Sequence, residues 1–256
     1  MSMNVFLTND DGINARGLRE LYKALKNRGH KVFAVAPARQ QSGVSHSLTV
    51  FEPLRVAREA EDEFQGVGVY GTPVDCVKLG LGVLSDFKPD LVMSGINSGP
   101  NAGPDIFYSG TIAAAAEGAN AGIPAMAISY GDPSENADME SVARKAVELA
   151  ERIDWEKIRD RVVINVNFPA CETGRWAGIK VCSQSASVWD NSYIEKRDPR
   201  GEPYWWLDGK LDPPIHGKDT DRHFLANNYI SVTPLKFDYT AKEYLNALAD
   251  MGLEEE

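Results

Sequence analysis

The stretch Val5-Phe6-Leu7-Thr8-Asn9-Asp10-Asp11-Gly12 opens as a short apolar strand that runs straight into two adjacent carboxylates. From Ala15 onward the pattern turns helical: Leu18, Leu21, Tyr22 and Leu25 recur on one face and Gly29 is a stop. Strand, acidic turn and helix is the opening of an α/β fold, in which ligands bind beyond the carboxyl ends of the strands. Neighbouring carboxylates there repel one another unless a cation or a proton intervenes. A divalent metal is the simplest remedy, so this rim is a candidate metal site.

Working outward, residues 31–36 read as a second strand, ended by Pro37. Residues 47–56 read as extended, with Leu48, Val50, Leu54 and Val56 on a period of two apart from the break at Pro53. A short strand is expected over 67–70, and Thr72-Pro73 is a cap and first turn that open a helix through Leu84. Residues 91–94 form a strand, a glycine-rich loop follows over 95–110, and an Ala-rich helix occupies 111–121. Strands over 123–130 and 162–166 flank a helix from about 135 to 153. This order predicts an α/β, Rossmann-like, doubly wound and mainly parallel sheet within residues 1–186.

After residue 187 the character changes. Trp189, Trp205 and Trp206 lie among Asp, Pro and Gly with little helical periodicity. Residues 187–221 are expected to form a β-hairpin arm that meets a partner surface, since exposed aromatics usually find one. Residues 222–256 supply a last strand over 228–233, a helix over 241–249 and a frayed acidic end, Glu254-Glu255-Glu256.

Composition narrows the function. With 256 residues, 43% hydrophobic and 25% charged, the chain has ample length for a core. Its net charge of −10, from 27 Lys+Arg against 37 Asp+Glu, argues against nucleic-acid polymers and anionic membranes as partners. A small anionic substrate stays open, because a metal or a helix terminus reverses the sign locally. Cys76, Cys171 and Cys182 are far apart and odd in number, with neither metal-finger spacing nor a disulfide framework. Buried thiols in a reducing compartment are expected. The N-terminal residues carry no signal-peptide pattern and no run approaches the length of a membrane span, so the expected location is the cytoplasm.

Three loops that follow predicted strands converge if those strands are parallel neighbours. They are Asn9-Asp10-Asp11-Gly12, residues 37–43 continuing through Ser45 and His46, and Ser94-Gly95-Ile96-Asn97-Ser98-Gly99 running on to Tyr108-Ser109-Gly110-Thr111. Each loop alone is an ordinary turn. Together they offer carboxylate, hydroxyl and amide oxygens, which select Mg²⁺, Mn²⁺ or Ca²⁺ over Zn²⁺. Ser109-Gly110-Thr111 stands at a helix N-terminus, where backbone N–H groups and the dipole favour phosphate, although either hydroxyl would also serve as a plain N-cap. A metal beside a phosphate cradle describes metal-assisted phosphoester hydrolysis. His46 is the one histidine near these loops and a candidate for proton transfer, with an ordinary loop histidine as the plainer reading.

Rival motifs fail on placement. Gly66-Val67-Gly68-Val69-Tyr70-Gly71 spells the dinucleotide fingerprint, but its glycines fall inside a predicted strand and residues 59–63 upstream look acidic and unlike a strand. No cysteine has the arginine of a thiol phosphatase six positions on, where Gly82, Ala177 and Val188 stand. The aspartates are adjacent rather than one apart, as aspartyl-phosphate enzymes require, and the spacing from Gly12 to Gly17 lacks a Walker lysine.

Taken in order, the motifs resemble those of the stationary-phase survival protein SurE family of metal-dependent nucleotidases. The resemblance rests on Asn9-Asp10-Asp11-Gly12, Ser42-Gly43 with Ser45-His46-Ser47, Gly71-Thr72-Pro73 with Asp75-Cys76-Val77, Ser94-Gly95-Ile96-Asn97 and Tyr108-Ser109-Gly110-Thr111. Asp219-Thr220-Asp221 and Ser231-Val232-Thr233-Pro234-Leu235 agree as well. The resemblance implies a Rossmann-like core with a C-terminal arm exchanged between subunits, giving a homodimer or homotetramer. It implies hydrolysis of nucleoside 5′- and 3′-monophosphates, with short polyphosphate as a further substrate. By motif position it assigns one divalent metal per subunit, Mg²⁺ or Mn²⁺, to Asp10, Asp11, Ser42 and Asn97. It assigns the phosphate to Asn9, Gly43, Ser109, Gly110 and Thr111. Asp10 and Asp11 are the candidate catalytic residues, and the sequence leaves open whether either doubles as a base. The competing class is a non-catalytic α/β nucleotide sensor, which has no need of paired carboxylates; a nicotinamide-dependent oxidoreductase stands third.

Overall fold

A computed structural model describes residues 2–251 apart from 62, 85, 159–160, 172–174, 191 and 210–216. The expected acidic end, Glu254-Glu255-Glu256, and part of the expected arm therefore lie outside the described residues.

The chain opens with β1 (Asn4–Thr8), α1 (Arg16–Asn27), β2 (Lys31–Pro37), β3 (Val56–Glu61), β4 (Phe64–Val69) and α2 (Pro73–Gly82). It continues with β5 (Leu91–Ser98), α3 (Gly110–Asn120), β6 (Ala125–Tyr130), α4 (Met139–Arg152), β7 (Val162–Phe168) and β8 (Gly178–Val181). Then come β9 (Tyr193–Arg197), β10 (Pro203–Leu207), α5 (Asp221–Ala226), β11 (Tyr229–Lys236) and α6 (Leu245–Asp250). Nine strands form one sheet in the order β3-β4-β2-β1-β5-β6-β7-β11-β8, while β9 and β10 pair with each other as a separate antiparallel hairpin. β4, β2, β1, β5, β6 and β7 are mutually parallel. β3 runs antiparallel to β4, and β11 antiparallel to β7.

Strand periodicity explains why helices cover both faces. Along β1, Val5 and Leu7 enter one core with Leu18, Leu21 and Leu25 of α1 and Val142, Ala146 and Ala150 of α4. Phe6 points the other way, into a second core with Cys76 and Val77 of α2 and Ile112, Ala115 and Ala119 of α3. The same alternation divides Met93 from Val92 and Ile128 from Ala127, as a pleated strand requires. A sheet buried on both faces is the expected doubly wound arrangement. Its topological switch point is β1, flanked by β2 on one side and β5 on the other, so the crevice opens directly above Asn9, Asp10 and Asp11.

The structure departs from the sequence expectations in several places. Residues 59–61, read as acidic and unlike a strand, belong to β3, where Glu59 and Glu61 lie across from Gly66 and Phe64. Charge is what an exposed edge strand tolerates and benefits from, because it discourages further pairing. Residues 47–55 do not alternate in and out; Leu48, Val50 and Phe51 are all exposed, and the segment is anchored at Ser47 and Thr49 by the side chains of Thr72 and Asp75 and at Arg55 by the Tyr70 N–H. β5 runs past Ser94 to Ser98, with an irregularity that sets two residues of β5, Gly95 and Ile96, against one of β6, Ile128. Such a bulge re-aims the residues beyond it, and here it carries Asn97 to the rim. β8 and α5 were not anticipated; both are short, four and six residues, and carry little periodic signal. Pro234 is accommodated in β11 because β8 pairs only as far as Val232, leaving that side of the strand without a ladder to donate to.

Candidate active site

Three rim loops meet at Asp11. Its Oδ2 accepts the Ser98 backbone N–H at 3.1 Å, and its Oδ1 lies 3.4 Å from Gln40 Nε2. The same Gln40 nitrogen donates to Ser42 Oγ at 2.9 Å, so one amide bridges a carboxylate and a hydroxyl from two different loops. The Gln41 N–H donates to the carbonyl of Asp10 at 2.7 Å, fixing the second loop to the first. Asn97 is half-buried and spends its amide nitrogen on the Gly99 carbonyl at 2.8 Å. Its Oδ1 is left as the atom that can face a cation.

Asp10 is buried against the first turn of α3. Thr111, itself fully buried, donates its hydroxyl to Asp10 Oδ1. Residue 110 has to be glycine for this approach: a Cβ there would stand 2.7 Å from Asp10 Cβ and 2.9 Å from Oδ2. Ser109 is the N-cap of α3, its Oγ accepting from the Ile112 N–H at 3.1 Å. The hydroxyls of Ser109 and Thr111 thus build the turn; with the Ile112 N–H given to Ser109 and the Thr111 N–H to the Asp10 carboxyl, the anion-binding capacity at this point rests on the Gly110 N–H and the helix dipole.

The other expected positions are placed as follows. Asn9 is fully buried and both ends of its amide bind Gly12, giving at 3.0 Å and accepting at 3.1 Å, so it braces the acidic turn. Gly43 is exposed with φ +73°, a left-handed conformation that suits glycine. The His46 ring lies 3.0 Å from Glu117 Oε2, and Lys78 Nζ lies 2.9 Å from the other Glu117 oxygen. Glu117 is seven residues beyond Gly110 in α3, roughly 10 Å along the helix, so His46 is held toward the flank of the cradle. Burial works against the charged form of Glu117, but hydrogen bonds from Lys78 and His46 prevail and hold its carboxyl below the usual range.

Burial is the main electrostatic force on the two aspartates. It pushes Asp10 up to about 6; the Thr111 hydroxyl opposes this and the charge of Asp11 adds to it. Asp11 is raised as well, by burial, against the Ser98 and Gln40 hydrogen bonds. A carboxylate pair that holds protons this readily is relieved by a cation. Asp10, Asp11, Ser42 and Asn97 offer only oxygen, which fits a hard divalent ion. Among the described residues, no three His, Cys, Asp or Glu side chains gather as a metal group. A cation here would therefore complete its shell with neutral oxygens and water, as Mg²⁺ habitually does.

The loop that delivers the α3 turn is braced from below. Asn101 receives side-chain amides from Asn165 at 2.9 Å and Asn167 at 3.0 Å on its carbonyl, and donates to Ser129 Oγ at 2.9 Å. Asp221 accepts from the Gly103 N–H at 2.8 Å and the Ser185 N–H at 2.9 Å, while Arg222 pairs with Asp105 at 2.9 Å. Sequence reasoning missed Gln40 and these braces. A glutamine in a turn and asparagines in a strand carry no signal until the loops are brought together.

Residues 5–191 match the family model for survival protein SurE. The chain belongs to the SurE family. A 5′-nucleotidase SurE of Desulfovibrio desulfuricans is 54% identical over 98% of this chain and 100% of its own length. One from Nitratidesulfovibrio vulgaris is 49% identical over 96% of this chain and 91% of its own. The crystal structure of a SurE protein from Aquifex aeolicus superposes with a TM-score of 0.83 at 37% identity, covering 97% of this chain and 99% of that one. The SurE relationship thus spans both the sheet and the C-terminal segment that braces the site.

Proposed function

We propose that this protein is a divalent-metal-dependent phosphomonoesterase that hydrolyses nucleoside 5′-monophosphates to nucleoside and phosphate, with 3′-monophosphates and short polyphosphate as further substrates. The observation that carries the reading is the pair of carboxylates at the switch point, Asp10 buried and Asp11 half-buried and both raised, side by side with the first turn of α3. Relatives named 5′-nucleotidase SurE at about half identity over nearly the full chain support the choice of nucleotide.

Asp10 and Asp11 hold the ion, Mg²⁺ or Mn²⁺, one per subunit, with Ser42 and Asn97 as neutral ligands. Such an ion supplies Lewis acidity toward a phosphoryl oxygen and acidifies a water for attack. The Gly110 N–H and the helix dipole at the start of α3 bind the phosphate oxygens and favour the charge that develops on them. Gln40 orients Asp11 and Ser42, and Thr111 orients Asp10. Asp10 and Asp11 are also the groups placed to accept a proton from the attacking water.

The exposed aromatic hairpin, with Tyr193, Trp205 and Trp206 all more than half exposed, supports self-association into a homodimer or homotetramer through this arm. Among the described residues no helix is long and apolar enough to cross a membrane. Buried thiols at Cys76 and Cys182 suit a reducing, cytoplasmic setting.

The test is phosphate release by chelator-stripped protein from a panel of nucleoside monophosphates, polyphosphate and a chromogenic phosphomonoester, with and without Mg²⁺ or Mn²⁺. Release restored by metal supports the reading. Nucleotide binding without release under any metal would assign the rim to a sensor instead.

A further inference from the structure

Beyond Ser42 the chain runs as a strap across α2 and α3, and it is fastened at four points, one of them the His46 contact with Glu117 of α3 already described. At its start, Gln40 ties Ser42 to Asp11, at 2.9 Å and 3.4 Å. At its far end, Thr49 donates its N–H to Asp75 Oδ1 at 3.0 Å and its hydroxyl to Oδ2 at 2.6 Å, and Thr72 donates its hydroxyl to the Ser47 carbonyl at 2.8 Å. Asp75 is fully buried and also closes the capping box of α2, so this anchor is rigid. Between the two sits Ser45. Its Oγ donates to the Phe107 carbonyl at 2.6 Å and its N–H to the Tyr108 carbonyl at 3.2 Å.

Those two carbonyls immediately precede Ser109, the N-cap of α3. Ser45 thus grips the cradle loop from the strap side, while Thr111 grips Asp10 from the helix side. Ser45 makes this contact with φ +56°, in the left-handed region that non-glycine residues seldom occupy. A strained conformation persists only where surrounding contacts hold it, and such positions cluster at working sites.

We propose that Ser45 is a positioning residue that couples the metal half of the site to the phosphate half. The inference rests on the phosphomonoesterase reading and deepens it. With the clasp closed, the Ser42 loop and the α3 turn keep a fixed separation, so an ion held by the aspartates strengthens phosphate binding at α3. With the clasp open, the ion is retained by Asp10 and Asp11 but the phosphate loses its fixed counterpart. Binding of the two is linked, and the linkage is reciprocal.

The backbone conformation supplies a clean test. Ser45→Gly removes the hydroxyl and suits the left-handed backbone, whereas Ser45→Ala removes the same hydroxyl and keeps the strain. Binding of Mn²⁺, and of inorganic phosphate with and without Mn²⁺, would be measured by calorimetry on the full chain, alongside thermal melting and AMP hydrolysis. The expected result is wild-type melting and Mn²⁺ affinity for Ser45→Gly, with phosphate affinity in the Mn²⁺-loaded protein down about three- to tenfold. Ser45→Ala should lose as much phosphate affinity and melt lower. Wild-type phosphate affinity in Ser45→Gly overturns the proposal, as does impairment confined to Ser45→Ala, or a loss of Mn²⁺ affinity equal to the loss of phosphate affinity. Wild-type protein that shows the Mn²⁺–phosphate linkage but does not hydrolyse AMP would remove the nucleotidase reading and leave the clasp standing. Absence of that linkage in wild-type protein removes the clasp even if AMP is hydrolysed.

Discussion

A methyl group on Gly110 would sit 2.7 Å from the Cβ of Asp10, closer than non-bonded carbons come. The first turn of α3 reaches the buried carboxylate only because that methyl is absent. Gly110→Ala is therefore expected to cost about 1–3 kcal/mol of stability through overpacking and to remove most of the phosphate-releasing activity. Urea denaturation and single-substrate kinetics measure the two effects. Wild-type kinetics in a destabilised Gly110→Ala protein would show that this approach serves packing alone.

Asp10→Asn separates charge from shape. The variant should lose metal affinity and most activity while keeping its fold. In metal-free protein at pH 8 it should be as stable as wild type or more so, because wild type there holds a buried charge that resists ionisation. Calorimetric metal titration and melting curves of the stripped proteins check both statements. Undiminished turnover at limiting metal would remove Asp10 from the ligand set.

The raised Asp10 carboxyl gives a pH dependence with a definite sign. Its folded value of about 6 lies above the ordinary 3.8. In metal-free protein its contribution to stability is full below 3.8 and is lost as pH rises through about 6. Metal competes with that proton, so Mn²⁺ affinity should fall by roughly tenfold per unit as pH drops below 6, and level off above it. A Mn²⁺ affinity that does not change between pH 5 and 7 would contradict this.

Trp205 and Trp206 are 56% and 65% exposed on a hairpin that, among the described residues, forms a sheet separate from the main one. Replacing both by Ser should lower the mass measured by light scattering and leave the secondary structure of the core unchanged. An unaltered mass would place the subunit contact elsewhere.

Much of the sheet and the location of the rim could be read from the sequence because both depend on local patterns. Val5 to Thr8 announces a strand, Leu18, Leu21, Tyr22 and Leu25 a helix, and Asp10-Asp11 a costly pair where one meets the other. What escaped notice depends on partners distant in sequence. Glu59 and Glu61 belong to a strand only because β4 lies alongside. Gln40 matters because Asp11 and Ser42 flank it, and Ser45 because the Phe107 carbonyl is within reach. His46 reads in sequence as a candidate for proton transfer or a plain loop histidine, and its ring faces Glu117, an attachment that no spacing along the chain encodes.

The place of β11 bears on how the molecule is assembled. Among the described residues β8 has no ladder except with β11, its Gly178–Val181 pairing with Tyr229–Val232, some fifty residues later in the chain. On the ribosome, β1 to β7 can pair as they emerge, but β8 must wait uncommitted until β11 is made and slots between it and β7. α5 leads directly into β11 and carries Asp221, the carboxylate that grips Gly103 beneath the cradle loop. Competence of the rim should thus follow the synthesis of α5 and β11 rather than that of β1 to β7.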